Sequence, residues 1–257
     1  MRACGDSKIA RAGWLATALI LGACGSSEPP GSRSPGSQPP GLQSPGGVTS
    51  LATPAGPGAG QARLAGGGER PLILSWQERN ADGQTVLRSV RFDNSSWVEP
   101  QTIAQGNDWF VNWADFSSVV PIDSSVLIAH WLPLKADRRY AYDIQYSLSA
   151  DGGRSWSQAR ILNADAAVAE HGFVSFFPWG NDIGAIWLDG RVLAALTVDE
   201  LFDLEEAVGM TLRYARLDRS GNVMERGQID DLVCDCCQTD AVSTATGPLI
   251  VYRDRTQ

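Results

Sequence analysis

Four times along the chain a short apolar run ends in an aromatic residue and then turns polar. The copies are Leu72-Ile73-Leu74-Ser75-Trp76-Gln77-Glu78, Leu127-Ile128-Ala129-His130-Trp131-Leu132-Pro133, Gly184-Ala185-Ile186-Trp187-Leu188-Asp189 and Leu249-Ile250-Val251-Tyr252-Arg253-Asp254. Trp76, Trp131, Trp187 and Tyr252 fall about 55–65 residues apart, a period in the range of β-propeller blades with insertions. A second phrase precedes the later copies: Phe116-Ser117-Ser118-Val119-Val120-Pro121, Phe173-Val174-Ser175-Phe176-Phe177-Pro178 and Gln238-Thr239-Asp240-Ala241-Val242-Ser243. The two phrases read as an inner strand a followed by strand b. Strands c and d are expected at Asp143–Leu148 and Ala159–Leu162, and again at Met210–Leu217 and Glu225–Ile229.

From Arg70 onward the chain consists of runs of four to eight Val, Ile, Leu and aromatic residues, punctuated by Gly, Asp and Asn. That texture specifies strands and turns. Only Val198–Val208 has a helical pattern, and its acidic residues make it a solvated insertion. The expected fold is all-β, a β-propeller of about three and a half blades.

The turn between strands c and d of the second unit is Ser149-Ala150-Asp151-Gly152-Gly153-Arg154-Ser155-Trp156. It resembles the Asp box, S-x-D-x-G-x-[ST]-W, of the sialidase and BNR-repeat propellers. Its chemistry is structural. The Asp151 carboxylate can accept backbone N–H groups across the turn, Gly153 can take a positive φ, and Trp156 can lie between blades with its N–H seeking a partner. The resemblance covers residues 60–257 and implies a sialidase-like propeller of six blades. On that view the chain, ending at Gln257 just after a strand b, is incomplete at its C-terminus.

The first segment reads as an export signal. Arg2, Lys8 and Arg11 precede the short apolar run Trp14–Ala23, too short to span a bilayer. The run closes in Leu21-Gly22-Ala23-Cys24, which resembles a bacterial lipobox with Cys24 as the lipidated residue. Residues 1–23 are then a lipoprotein signal peptide, and their removal takes the formal charge from −8 to −10. Gly25 after the cysteine implies, by the same resemblance, the outer membrane of a Gram-negative cell. Residues 24–59, rich in Pro, Gly and Ser, cannot bury enough apolar surface to offset their chain entropy and read as a tether. The expected location is extracytoplasmic, with membrane contact only through the lipid anchor. A chain with 29 acidic and 21 basic residues lacks the basic footprint of a nucleic-acid binder.

In a propeller, the d–a and b–c connections share one face around the central channel, and the a–b and c–d turns lie on the other. The site face therefore collects Glu78 and Arg79, Asp115, Glu170 and His171, Asp189 and Arg191, Cys236 and Cys237, and Arg253, Asp254 and Arg255. The sialidase resemblance implies an arginine cluster gripping a substrate carboxylate, a Tyr nucleophile assisted by Glu, and an Asp acid/base. Asp115, Glu170, His171 and Asp189 are the catalytic candidates, and Arg191, Arg253 and Arg255 the substrate-binding ones. Trp109, Trp113 and Trp179 near loops can stack on sugar rings. His130, inside strand b beside Trp131, reads as a packed core residue.

Cys234-Asp235-Cys236-Cys237 leaves two readings open. One is a disulfide, with a Cys234–Cys237 bridge leaving Cys236 free. The other is a thiolate site for Cu(I) or Zn(II), with His171 from the neighbouring blade as a further ligand. No cofactor is required by the glycosidase reading. The chain is thus expected either to hydrolyse or bind glycans, or another small ligand, at the propeller face, or to serve as a non-catalytic scaffold or metal-binding accessory.

Overall fold

The first three strand-b phrases are apolar without alternation because most of their side chains are covered on both faces, as in other strands sandwiched between layers, whereas Leu249 and Val251 of the fourth are exposed. In the computed structural model, which describes residues 50–93, 95–135, 140–196 and 208–255, each phrase is a strand flanked by strand a on one side. The described residues belong to one unit, Ser50–Gln257. The signal peptide, Cys24, residues 24–49 of the tether and all but the last residue of the expected helix Val198–Val208 lie outside them.

The first sheet contains β1 (Gly60–Gly67), β2 (Arg70–Arg79), β3 (Thr85–Asp93), β4 (Ser96–Trp97) and β5 (Gln101–Gly106), the last two both pairing with β3. The second runs β6 (Ser118–Pro121), β7 (Leu127–Trp131), β8 (Gln145–Ser149) and β9 (Arg160–Ile161). The third runs β10 (His171–Trp179), β11 (Asp182–Asp189), β12 (Met210–Leu217) and β13 (Val223–Val233). The fourth has β14 (Asp240–Thr244) and β15 (Gly247–Val251). Every pairing between these strands is antiparallel. One short helix, α1 (Arg191–Ala194), follows β11. No helix among the described residues is long and apolar enough to cross a membrane.

The core is divided among the gaps between successive sheets. Ile73 and Leu87 of the first sheet meet Val119, Leu127, Ala129 and Trp131 of the second. Ile128, Tyr146 and Leu148 of the second meet Phe176, Ile183, Trp187 and Leu217 of the third. Phe177, Ile186, Leu188 and Leu212 of the third meet Ala241, Ile250 and Tyr252, at or beside the fourth. Polar ties join neighbouring sheets as well. Gln77 donates to the Ser117 hydroxyl at 2.9 Å, and Ser175 donates to the Thr239 carbonyl at 2.8 Å.

Three of the four repeat aromatics hold equivalent positions. Trp76 lies opposite Arg88, Trp131 opposite Gln145, and Trp187 opposite Arg213, each across the pair formed by strand b and the strand that follows it. Strand c of the second sheet starts two residues later than expected, at Gln145. The backbone of Asp143 and Ile144 bonds to Pro133 and Leu162 instead of continuing the ladder.

The Ser149–Trp156 turn is closed from within. Asp151 Oδ1 accepts the N–H groups of Arg154 (3.0 Å) and Ser155 (2.9 Å), and Oδ2 accepts the Ser155 hydroxyl. The Ser149 hydroxyl donates to Asp151 and accepts the Gly153 N–H. Gly153, at φ +93°, brings its Cα side against Leu127. Trp156 packs against the layer between the first two sheets, its indole N–H without a partner among the described residues. Gly152 donates to Ser125 in the β6–β7 turn, so the a–b and c–d turns share one end of the sheets.

Candidate functional site

The opposite end is built from the loops that enter strand a and leave strand b. Asp115 precedes β6, Tyr142 and Asp143 lie between β7 and β8, and Asp165 and Glu170 precede β10. His171 opens β10, Asp189 closes β11, and Arg191 begins α1. The structure brings Asp115, Glu170, His171, Asp189 and Arg191 into one region, joined by residues that the repeat pattern did not mark.

Two linked networks result. In the first, the Tyr142 hydroxyl stands 2.8 Å from both Asp115 Oδ2 and Glu170 Oε1, while Asp115 Oδ1 accepts the Phe173 N–H at 2.8 Å. Burial of Asp115 outweighs these donors and pushes its pKa up to about 7. Burial also raises Glu170, and it raises Tyr142 far beyond the usual phenol range, with both carboxylates adding to the effect. One phenol proton can serve one carboxylate at a time. With Asp115 protonated, the acid donates to the phenol oxygen and the phenol donates to Glu170, so both carboxyl oxygens facing Tyr142 are paired. Gly172 permits the approach, since a Cβ there would stand 1.8 Å from Asp115 Oδ2.

In the second network, Arg191 grips Asp189 with two parallel bonds, Nε to Oδ1 at 2.7 Å and a terminal nitrogen to Oδ2 at 2.6 Å. The same terminal nitrogen lies 2.7 Å from Asp165. Trp187 also donates to Asp189 Oδ2 at 2.9 Å. Burial works to raise the Asp189 pKa, but the Arg191 bonds, the His171 ring and the indole N–H together hold it below the usual carboxylate range. Lys135 pairs with Asp143 at 3.0 Å, and Asn163 donates to the same oxygen. His171 Nδ1 stands 3.0 Å from the Tyr142 carbonyl. Its Nε2 is 3.1 Å from Asp165 Oδ2 without being directed at it, and has no hydrogen-bond partner among the described residues.

These placements revise the expected chemistry. Asp115 and Asp189 are buried at 2% and 0% exposure and bonded to their neighbours, not facing a substrate. Tyr142 has the residue type of the implied nucleophile, yet it is fully buried and stacked on Phe110 at 4.3 Å. Arg191 is committed to Asp189 and Asp165, so it is not a free carboxylate clamp. Asp165, His171 and Asp189 could each offer one ligand atom to a metal, but the Arg191 guanidinium already supplies the positive charge between the two carboxylates. His130 is fully buried, and burial takes its pKa down to about 3, as expected of a neutral core residue.

One hollow open to solvent at this end lies further along. Cys234, Asp235, Cys236, Arg253, Asp254 and Arg255 line a hollow of about 470 Å³. Arg255 pairs with Asp235 at 3.1 Å, and Arg253 is exposed. Cys234 and Cys237 form a disulfide, leaving Cys236 as an exposed thiol. His171 is held in the network above, so it is not a ligand of this cluster. Trp113 is 86% exposed on the loop before β6, and its neighbour Ala114 accepts a hydrogen bond from Gln238. Trp109 stacks on Trp131 at 5.8 Å and Trp179 on Phe177 at 6.0 Å, so both are packing residues in part.

No family model matches the chain, and no curated protein matches it in sequence. Among solved structures, the NanB sialidase of Streptococcus pneumoniae, in complex with 2-[(3-chlorobenzyl)ammonio]ethanesulfonate, is similar at 12% identity and a TM-score of 0.40. The match covers 71% of this chain and 26% of that one, so the chain spans about a quarter of the sialidase's length. A likeness at that level assigns neither fold nor activity.

Proposed function

We propose that the chain forms successive blades of a sialidase-like β-propeller, carried outside the cytoplasm on a lipid at Cys24, and that it binds an acidic glycan without hydrolysing it. Support for the architecture comes from consecutive antiparallel meanders with an apolar layer between each pair, and from the Asp-box-like turn at the end away from the site. Support for binding over hydrolysis comes from one observation. The carboxyl groups placed to do acid–base work are held in hydrogen bonds to neighbouring side chains, Asp115 and Asp189 fully buried and Glu170 half-buried, whereas Trp113, Arg253 and Arg255 are exposed. An exposed indole can stack on a sugar ring, and a guanidinium fork suits a carboxylate.

Titration of the full chain with sialyllactose and with lactose, followed by tryptophan fluorescence and calorimetry, tests this reading. Saturable binding of the acidic sugar, weakened by Trp113→Ala and by Arg253→Ala and absent with lactose, is the expected result. Equal affinity for both sugars, or no binding of either, would overturn it. Incorporation of labelled palmitate, lost in Cys24→Ser, tests the anchor separately.

The hydrolytic alternative keeps one observation in its favour: a phenol, a glutamate and an aspartate meet within 2.8 Å at Tyr142, Glu170 and Asp115. Those are the residue types that the sialidase resemblance implies for turnover. The burial of Tyr142 and Asp115 weighs against it.

A further inference from the structure

The Cys234–Cys237 loop offers chemistry that glycan binding does not use. The sulfur atoms of Cys234, Cys236 and Cys237 all lie within 4.8 Å of one another. Cys234 is buried, Cys237 half-buried and Cys236 exposed, so the group opens to solvent on one side, into the hollow walled by Arg253 and Arg255. The backbone beneath it is fixed at several points. Cys234 N–H donates to the Arg253 carbonyl at 2.9 Å, Met210 N–H donates to Asp235 at 3.1 Å, and Val233 bridges to Asp254.

We propose that, once the Cys234–Cys237 bond is reduced, the three thiolates form a three-coordinate site for Cu(I). The ligand set selects the metal. Thiolates favour soft cations, and Cu(I) accepts a site made of sulfur alone. Zn(II) sites of structural type are closed by four ligands. Among the described residues, no histidine or carboxylate joins the three sulfurs in one ligand group. The walls of the hollow carry two guanidinium groups and two carboxylates, so their charges cancel and give a hard divalent ion no general attraction.

A dithiol of a partner reductant gives two electrons and two protons, becoming a disulfide itself, and the Cys234–Cys237 bond becomes two thiols. Binding of one Cu(I) then releases the thiol protons to solvent. The bridged form, with two sulfurs engaged in the bond, is the metal-free state, and the loop alternates between the two.

The test uses the full chain, reduced under anaerobic conditions and titrated with Cu(I) against a chromogenic Cu(I) chelator, alongside oxidised chain and the Cys236→Ser variant. One Cu(I) per chain is expected in the reduced form, with only sulfur neighbours in its X-ray absorption spectrum. The oxidised form should take up none, and Cys236→Ser should weaken retention by at least about tenfold. Cys236 is exposed, so its substitution should leave the thermal melt unchanged, which separates loss of a ligand from loss of the fold. Retention equal in the reduced chain and in Cys236→Ser, no retention at all, or preferential retention of Zn(II) over Cu(I) would each overturn the proposal.

Discussion

The indole N–H of Trp187 donates to Asp189, two residues further along the same strand, at 2.9 Å, and Trp76 does the same to Glu78 at 2.8 Å. Residues two apart point to the same face of a strand, so an aromatic followed at that spacing by a carboxylate makes a self-contained latch at the end of strand b. In the second sheet Pro133 occupies the acidic position, and Trp131 turns to Gln145 on the neighbouring strand at 3.0 Å. In the fourth, Tyr252 donates to Asp230. The bond to fully buried Asp189 should matter more than the one to Glu78, whose side chain is 19% exposed. Trp187→Phe should therefore lose about 1.5–3 kcal/mol through the hydrogen bond to a charged group, and Trp76→Phe less. Urea denaturation of both variants checks the order; the reverse order would contradict it.

Removing the cation from the Arg191–Asp189 pair should cost more than removing both charges. Arg191→Met leaves a fully buried carboxylate without its fork and is expected to cost about 3–5 kcal/mol. Adding Asp189→Asn to that variant should recover part of the loss. A double-mutant cycle by chemical denaturation reads the coupling. Additive losses would mean that the pair acts independently.

The Asp115 carboxyl makes a pH-dependent contribution whose sign is fixed by its raised pKa of about 7 against an ordinary value of 3.8. Below the ordinary value both folded and unfolded chains hold the proton. Between the two values only the folded chain does, so this group's stabilisation declines as pH rises from about 4 to about 7 and is level above that. The melting temperature of the wild type, compared with that of Asp115→Asn, should fall across this window. A difference curve that is flat or rising there would show that Asp115 is ionised in the fold.

Gly172 is required by the same network. A methyl group at this position would meet the Asp115 carboxylate at 1.8 Å and the Tyr142 ring at 3.1 Å. Gly172→Ala should destabilise the fold by about 1–3 kcal/mol through overpacking. Thermal unfolding measures it, and a neutral effect would mean that the β10 entry can shift without cost.

How much of this was legible in the sequence follows from where each signal originates. In the first three sheets strand b is largely enclosed on both faces, so its apolar run is unbroken and its aromatic falls at a fixed place; both properties are local. The grouping of Asp115, Glu170, His171, Asp189 and Arg191 was legible from topology alone, because each flanks an a or b strand. Their mutual bonding was not. It depends on the path of the loop that carries Tyr142 and Asp143, where a Tyr-Ala-Tyr-Asp stretch has no spacing that marks a network residue. Asp165 was missed for the same reason, since it lies in an irregular segment before β10. The helix expected at Val198–Val208 falls almost wholly outside the described residues, whereas the short helix at Arg191 has no sequence signal beyond the end of strand b.

Turnover is the most direct test of the claim that the hydrogen-bonded carboxyls lock the loops together and do not catalyse. The full chain should release no fluorophore from a fluorogenic sialoside, across a pH range spanning the Asp115 pKa, under conditions where it binds sialyllactose. Release of fluorophore that is abolished by Glu170→Gln, in a variant that still folds and binds the sugar, would contradict the account.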